Sequence, residues 1–405
     1  MQLLTGYRYR LEPTPSQAAA LGQHGGACRW LWNHVLAHRE EAYLAARAAG
    51  GKLPAGAFSY ASMCRYLTTL RHDIPWLAAI SVEPLQQTLR DLDAAFGKFF
   101  KGRSGFPAFK RRADGDGFRY PIPAHFAVDL NWVKLPKLGW VRFRQSRDLP
   151  GAVRNITVSR VGAHWFVSFC VAHEIADPGA PLGAPIALDL GVACSVTTST
   201  GERIDLQAPT PKERRRLRFL ARQVSRKVKG SRRRRLANER LAKAKRHLAA
   251  RRRDAAHKLT TRLAHTHSVI VLEDLHVKGM TVSAAGTAAA PRRNVRAKAG
   301  LNRSLASQAF GETRRLLAYK CARSGAQLIA VPAAHTSQTC SQCQHCAPEN
   351  RESQAEFVCV ACGLQLNADH NAALNILAAG SAVTARGGAD LSPADEPRTL
   401  RRRAA

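Results

Sequence analysis

Apolar and polar residues alternate at the start of the chain, so Tyr7 to Leu11 predicts a short strand, closed by Pro13 and Pro15. The period then changes to that of a helix. Apolar positions from Ala27 through Leu36 and on to Ala49 predict a long helix stopped by Gly50 and Gly51. A second helix falls near Ser62 to Leu70. The third has the clearest stripe, with Leu85, Leu89, Leu92, Ala95 and Phe99 on one face between Val82 and Lys101, and Ser81 as candidate N-cap. Its other face carries Gln86, Gln87, Arg90 and Lys98. Gly102 to Pro107 is a loop signal, followed by the basic run Phe109 to Arg112. From Phe118 to Ala172 short runs rich in Val, Phe and Trp, such as Trp140 to Arg144, Ile156 to Arg160 and Trp165 to Cys170, predict antiparallel strands with a basic solvated face. Pro178, Pro181 and Pro185, with Gly179 and Gly183, mark a boundary near residue 180. The expected first half is therefore α+β, residues 1–180, an antiparallel barrel with a helical insertion at about 15–112.

The second half opens on an apolar strand, Ile186 to Val192, with a hairpin partner at Cys194 to Thr198. Residues 211–263 are helical and strongly basic, about twenty Lys and Arg against three acids, with Leu217, Leu220, Val224, Val228, Leu259 and Leu263 as an apolar stripe and a break at Gly230 and Ser231. A buried strand, Val269 to Leu272, ends at Glu273. Thr281 to Gly300, rich in Ala, Gly and Arg, predicts a mobile basic loop. A helix from about Leu301 to Ser324 leads to the strand Gln327 to Val331, and residues 381–405 have the composition of a disordered basic tail.

Composition narrows the class. The 405 residues are 45% hydrophobic, enough for two or three cored domains, and 62 Lys and Arg against 29 Asp and Glu leave a net charge of +33. Such an excess calls for a polyanion. An anionic membrane surface is the other polyanion to weigh, but no amphipathic anchor, lipidation signal, apolar span of about eighteen residues or secretory leader stands in the sequence, which favours nucleic acid and a cytoplasmic protein associated with the nucleoid through DNA. Ten cysteines, five of them scattered singly, fit a reducing compartment.

The other five crowd into one segment. Cys340 and Cys343 form one C-x-x-C pair and Cys359 and Cys362 a second, fifteen residues on, the spacing of two knuckles that hold one tetrahedral zinc. A redox pair would need only one such motif. Four thiolates leave no open coordination position, so this zinc is structural. Cys346 is a possible competing ligand, and Gln344 stands where Gly363 stands in the second knuckle. Three acids stand apart from the basic background: Asp189 within an apolar strand, Glu273 at the end of another, and Asp369 at the start of a short helix. Each alone fits a strand end or a cap. Together, in so basic a chain, they suit two magnesium ions, which prefer carboxylate oxygens.

Several ordered stretches resemble the TnpB family: Ile186 to Val192, Val271 to Leu275 with Lys278 to Met280, Val331 to Cys343, and Asn367 to Ile376, together with Tyr9 to Pro13, Gln17, Arg29 and Asn33 at the start. The resemblance spans nearly all of the chain to about Ala378. It implies an α/β RNase H-like (RuvC) nuclease domain over 181–334 and 364–380 with a zinc ribbon, 335–363, inserted before the helix of the last acid. It also implies catalysis by Asp189, Glu273 and Asp369, a guide RNA transcribed from the transposon end, and double- and single-stranded DNA as target, cut beside a short target-adjacent motif. Gln86, Gln87 and Arg90 are candidates for contacts to that motif; a solvated helix face would have the same pattern. Departures are Gln344 for the usual Gly, His335 for an aromatic residue, Cys346 and the arginine-rich tail. The function expected is RNA-guided DNA cleavage by two-metal hydrolysis. Its rivals are a transposase that joins DNA strands, a zinc-ribbon regulator without catalysis, and a ribonuclease.

Overall fold

The computed structural model describes residues 2–54, 56–174, 176, 178–286, 293–332, 335–351, 353 and 355–385. The chain divides into two compact units, the first ending at Ala176.

The first unit is built on alternation. β1 (Gln2–Leu11) buries Tyr7, Tyr9 and Leu11 and turns Arg8 and Arg10 to solvent. After the helices come β2 (Gly117–Tyr120), β3 (Ala127–Asp129), β4 (Trp132–Leu135), β5 (Gly139–Arg144), β6 (Ala152–Val161) and β7 (His164–Glu174). All pair antiparallel in the order β2-β6-β7-β1-β5-β4-β3. Among the described residues no ladder joins β3 to β2, so the sheet is open and the expected barrel is not closed. Tyr9, Phe143 and Phe169 from three adjacent strands cluster with ring centroids 5.2 to 5.8 Å apart.

The insertion is helical from Pro15 to Phe100. α1 (Pro15–Ala48) starts at a capping box in which Thr14 accepts from the Gln17 N–H and Gln17 reaches back to the Thr14 N–H. It begins twelve residues before Ala27, where its apolar period starts, and ends at Ala48, one residue short of the expected Ala49. α2 (Tyr60–Asp73), the single turn α3 (Pro75–Ala78) and α4 (Val82–Phe100) follow. α4 buries Leu85, Leu89 and Leu92 of its expected stripe, but Ala95 and Phe99 are half-buried and Phe96 takes the buried place, and Ser81 precedes the helix without a side-chain capping bond. The loop after α4 is pinned to α1: Trp32 Nε1 donates to the Ala108 carbonyl at 3.0 Å, and Asn33 both donates to the Lys110 carbonyl and accepts its N–H. Gly25 lets Asp116 approach α1, where Arg29 pairs with it; a Cβ at Gly25 would stand 2.6 Å from that of Asp116.

The second unit is a five-stranded mixed sheet. β8 (Ile186–Asp189), β11 (Val269–Glu273) and β12 (Gln327–Val331) are parallel, and β9 (Val196–Thr198) and β10 (Arg203–Ile204) extend it antiparallel on the β8 side, in the order β10-β9-β8-β11-β12. Between β10 and β11 run α5 (Pro211–Ser225) and α6 (Arg232–Thr266), separated at Gly230, whose φ is +84°, and Ser231, whose side chain caps α6. Arg251 ties them by a two-pronged pair to Glu213 at 2.8 and 3.0 Å. The apolar stripe of this block is unevenly used. Leu259 and Leu263 are buried, whereas Leu217, Leu220 and Val224 are half-buried and Val228 is exposed.

After the single turn α7 (Val277–Met280), two helices stand where one was expected. α8 (Val295–Gln308) begins inside the stretch assigned to a loop, and Ala309, left-handed at φ +57°, separates it from α9 (Phe310–Ser324). The rest of that expected loop reaches residues 287–292, which lie outside the described residues. β13 (Glu356–Val358) pairs with β14 (Gln365–Asn367), so the ribbon hairpin extends past residue 363. α10 (Ala368–Ala385) carries helix into the first five residues assigned to the tail; 386–405 lie outside the described residues.

Strand parity divides the core of this unit. Ile186, Leu188, Ile270, Leu272 and Leu328 meet α6 and α9, whereas Ala187, Val271, Ile329 and Val331 meet Ile376 of α10. Gly380 allows that closeness, since a Cβ there would lie 2.4 Å from a Val271 methyl. No described helix is long and apolar enough to cross a membrane.

Candidate metal centres

The three candidate acids are delivered by elements that the fold makes neighbours. Asp189 and Glu273 end β8 and β11, whose parallel register pairs Ala187 with Val271 and Leu188 with Leu272, so the next step sets Asp189 beside Glu273. Parity sends both to the face covered by α10. Asp369 lies in the first turn of that helix, whose N-terminus is capped by Asn367: its Oδ1 accepts from the N–H groups of Asp369 at 3.1 Å and His370 at 3.3 Å. His370 in turn donates through Nε2 to the Ser199 carbonyl at 3.2 Å, fastening the start of α10 to the end of the β8–β9 hairpin.

Electrostatics registers the convergence. Burial first, and then the charges of Glu273 and Asp369, push the Asp189 carboxyl up to about 7 against the opposing Arg351 and Leu190 N–H. Glu273, 8% exposed, is also raised by burial, partly offset by the Thr336 hydroxyl that donates to its Oε1 at 2.6 Å. Partly buried carboxylates that repel one another are a poor arrangement without cations, and their hard oxygens, two of them at the carboxyl ends of parallel strands, fit divalent ions such as magnesium. They stand further apart than the cysteine thiols, which form the one His, Cys, Asp and Glu group among the described residues with all ligand atoms within 4.8 Å of one another.

That group is Cys340, Cys343, Cys359 and Cys362. Sγ atoms of Cys340 and Cys362 lie 3.6 Å apart, and those of Cys343 and Cys359 3.5 Å, close to the edge of about 3.8 Å that four zinc–sulfur bonds impose on a tetrahedron. The donors fit zinc in both number and softness. Cys346 is exposed and outside the cluster, on an isolated bridge to Thr339. Gln344 adopts φ +63° and Gly363 φ +75°, so the first knuckle makes the same left-handed turn without a glycine.

Sequence reasoning missed four residues that connect these centres. Asn350, fully buried, donates to the carbonyls of Gln338 and His345 and accepts the Val360 N–H, joining the two knuckles. Asn371 donates to the Thr339 carbonyl at 2.8 Å and accepts the Ser341 N–H. Asn375 donates to the carbonyls of Thr336 and Thr339 at 2.8 and 2.6 Å. The signal for this pair was present as two asparagines four apart on an otherwise apolar helix. Thr336 carried no such signal.

Gln86, Gln87 and Arg90 lie in the first unit, on the side of α4 opposite its apolar stripe. The two glutamines are half-buried, Gln87 bonds Asp91 at 2.8 Å, and the exposed Arg90 guanidinium rests 4.7 Å from the Tyr60 ring centre.

Known proteins with related sequences fit this picture. Three family profiles match: "Cas12f1-like, TNB domain" over residues 310–376, "Probable transposase" over 168–284, and "Helix-turn-helix domain" over 1–47, where the structure has β1 and most of α1. The chain is 41% identical over 389 residues to "Putative RNA-guided DNA endonuclease InsQ" of Escherichia coli (strain K12), covering 96% of this chain and 95% of that protein. It is 33% identical over 396 residues to "Putative RNA-guided DNA endonuclease" of Streptomyces pristinaespiralis, covering 95% and 92%. Its fold is similar to the Cas12f1 chain in a cryo-EM complex with sgRNA and target DNA, with a TM-score of 0.51 at 13% identity over 90% of this chain and 83% of that one. These relationships define the class, OrfB-type transposase proteins. Within it, the chain belongs to the TnpB family.

Proposed function

We propose that this chain is an RNA-guided DNA endonuclease that hydrolyses target DNA at a RuvC-like site formed by Asp189, Glu273 and Asp369. The observation that carries the reading is that Asp189 and Glu273, at the carboxyl ends of β8 and β11, share the sheet face covered by the helix of Asp369, and that burial and the other two acids hold Asp189 near 7. The extensive identity to proteins named for that activity supports it. The sheet order, with three parallel strands flanked by an antiparallel pair, supports the RNase H-like assignment.

Two magnesium ions, when bound, supply an activated water and stabilise the leaving 3′ oxygen. Asp189, whose carboxyl feels the charges of both other acids, would be the ligand shared by the two ions, and Glu273 and Asp369 would each hold one of them. Asn367 and His370 hold the first turn of α10 so that Asp369 faces the strand ends. The four thiolates hold a structural zinc whose ribbon is seated on α10 by Asn371 and Asn375. The arginine-rich α5 and α6 bind phosphate backbones of the guide RNA and of the DNA strand to be cut, an attraction that weakens steeply with salt. The guide is a transcript of the transposon end; base pairing reads the target, while Gln86, Gln87 and Arg90 contact the target-adjacent motif.

The description "Probable transposase" favours one alternative, the joining of DNA strands at transposon ends. Sequencing the RNA that co-purifies with the protein separates the two. A single species mapping to the 3′ end of its own gene, able to direct cleavage of a matched plasmid, is the expected result. Strand transfer without RNA would establish the alternative.

A further inference from the structure

The turn from Thr336 to Thr339 leads directly into the first zinc-site thiol, and it is bonded on two sides. On one side the Thr336 hydroxyl donates to Glu273 Oε1 at 2.6 Å, the length of a hydrogen bond to an ionised carboxylate. On the other, Asn375 takes the carbonyls of Thr336 and Thr339, and Asn371 takes that of Thr339 and the Ser341 N–H. Both asparagines belong to the helix that carries Asp369, and both are buried. One short turn therefore touches an acid on β11, the helix of a second acid, and the chain entering the zinc ribbon.

We propose that Thr336 is a positioning residue for divalent-metal binding: its hydroxyl fixes the Glu273 carboxylate and makes the geometry of the acid cluster depend on the seating of the zinc-holding turn. This rests on the assignment of Asp189, Glu273 and Asp369 as the metal site. Glu273 reaches its position through three side-chain torsions at the end of a strand, and burial among apolar neighbours does not choose among their rotamers. A hydroxyl directed at one carboxylate oxygen does choose, and groups in that role are worth on the order of tenfold or more in metal affinity. Because the Thr336 carbonyl is held by Asn375, the hydroxyl is in turn aimed by α10. The two acids Glu273 and Asp369 are thus indexed to one another through the ribbon's entry turn.

The test uses the full-length protein with its co-purified RNA, comparing wild type, Thr336→Val, Thr336→Ser and Asp189→Ala. Zinc content and RNA binding are measured first, then Mn²⁺ affinity by electron paramagnetic resonance, then cleavage against Mg²⁺ concentration. Thr336→Val is expected to keep its zinc and RNA, to bind Mn²⁺ about tenfold more weakly, and to need correspondingly more Mg²⁺ for half-maximal cleavage. Thr336→Ser, which keeps the hydroxyl, stays close to wild type. Wild-type Mn²⁺ affinity in Thr336→Val would overturn the proposal, as would a serine variant as impaired as valine. Loss of zinc or RNA from Thr336→Val would also overturn it, by assigning the hydroxyl to folding of the ribbon. If instead Asp189→Ala binds Mn²⁺ and cleaves like wild type, it is the assignment of the acids that fails.

Discussion

Single polar groups set the conditions under which this chain works, and two of them show opposite uses of burial. Asp189 is driven upward by burial and by neighbouring acids, a cost that cations at the site would relieve. His24 has no such relief. It is 3% exposed in the first unit's core, its Nδ1–H donates to the Ala20 carbonyl at 2.9 Å, and its buried Nε2 has no partner. Burial lowers its pKa, so the unfolded chain takes up the proton first. Stability should therefore be full above the unfolded value, near 6.5, and fall as the pH drops below it. Thermal melting from pH 7.5 to 5 should show a smaller loss in His24→Leu than in wild type. Equal losses in the two proteins would place the acid sensitivity elsewhere.

The elements position the chemistry through close approaches. α10 is decisive, because it covers the sheet face that carries Asp189 and Glu273 and brings Asp369 with it. It comes close to β11 at Gly380, against Val271. Gly380→Val should destabilise the second unit by about 1–3 kcal/mol through overpacking and should lower cleavage by displacing Asp369. Chemical denaturation and a cleavage assay would check both effects, and unchanged values in both would mean that α10 does not need this contact. The same scale separates what the sequence conveyed from what it did not. Cysteine spacing, the stripe of α4, and carboxylates ending apolar strands are local signals, and the structure retains each of them. The break at Ala309 falls on an alanine, with the nearest glycine, Gly311, already inside α9, and the start of α8 was hidden in an Ala- and Gly-rich stretch. The open edge between β2 and β3 depends on pairing between distant residues. Asn350 looks like an ordinary surface asparagine until packing buries it and turns its amide into bonds that join the two knuckles.

At the scale of the molecule, a net charge of +33 and two long basic helices meet a site that repels the same polyanion unless cations intervene. Under the proposed function, attraction is spread over many residues, whereas cleavage rests on three. The same reading ties the four-cysteine ribbon to cleavage through its bonds to α10. Removing zinc with a chelator should leave RNA binding largely intact and impair cleavage, with recovery on adding zinc back; full cleavage by the zinc-free protein would contradict the coupling. The most direct measurement is cleavage of a matched DNA target by the reconstituted RNA–protein complex, comparing wild type with Asp189→Ala at equal RNA occupancy. The account predicts that Asp189→Ala binds the RNA like wild type and does not cut, and cutting at the wild-type rate would contradict it.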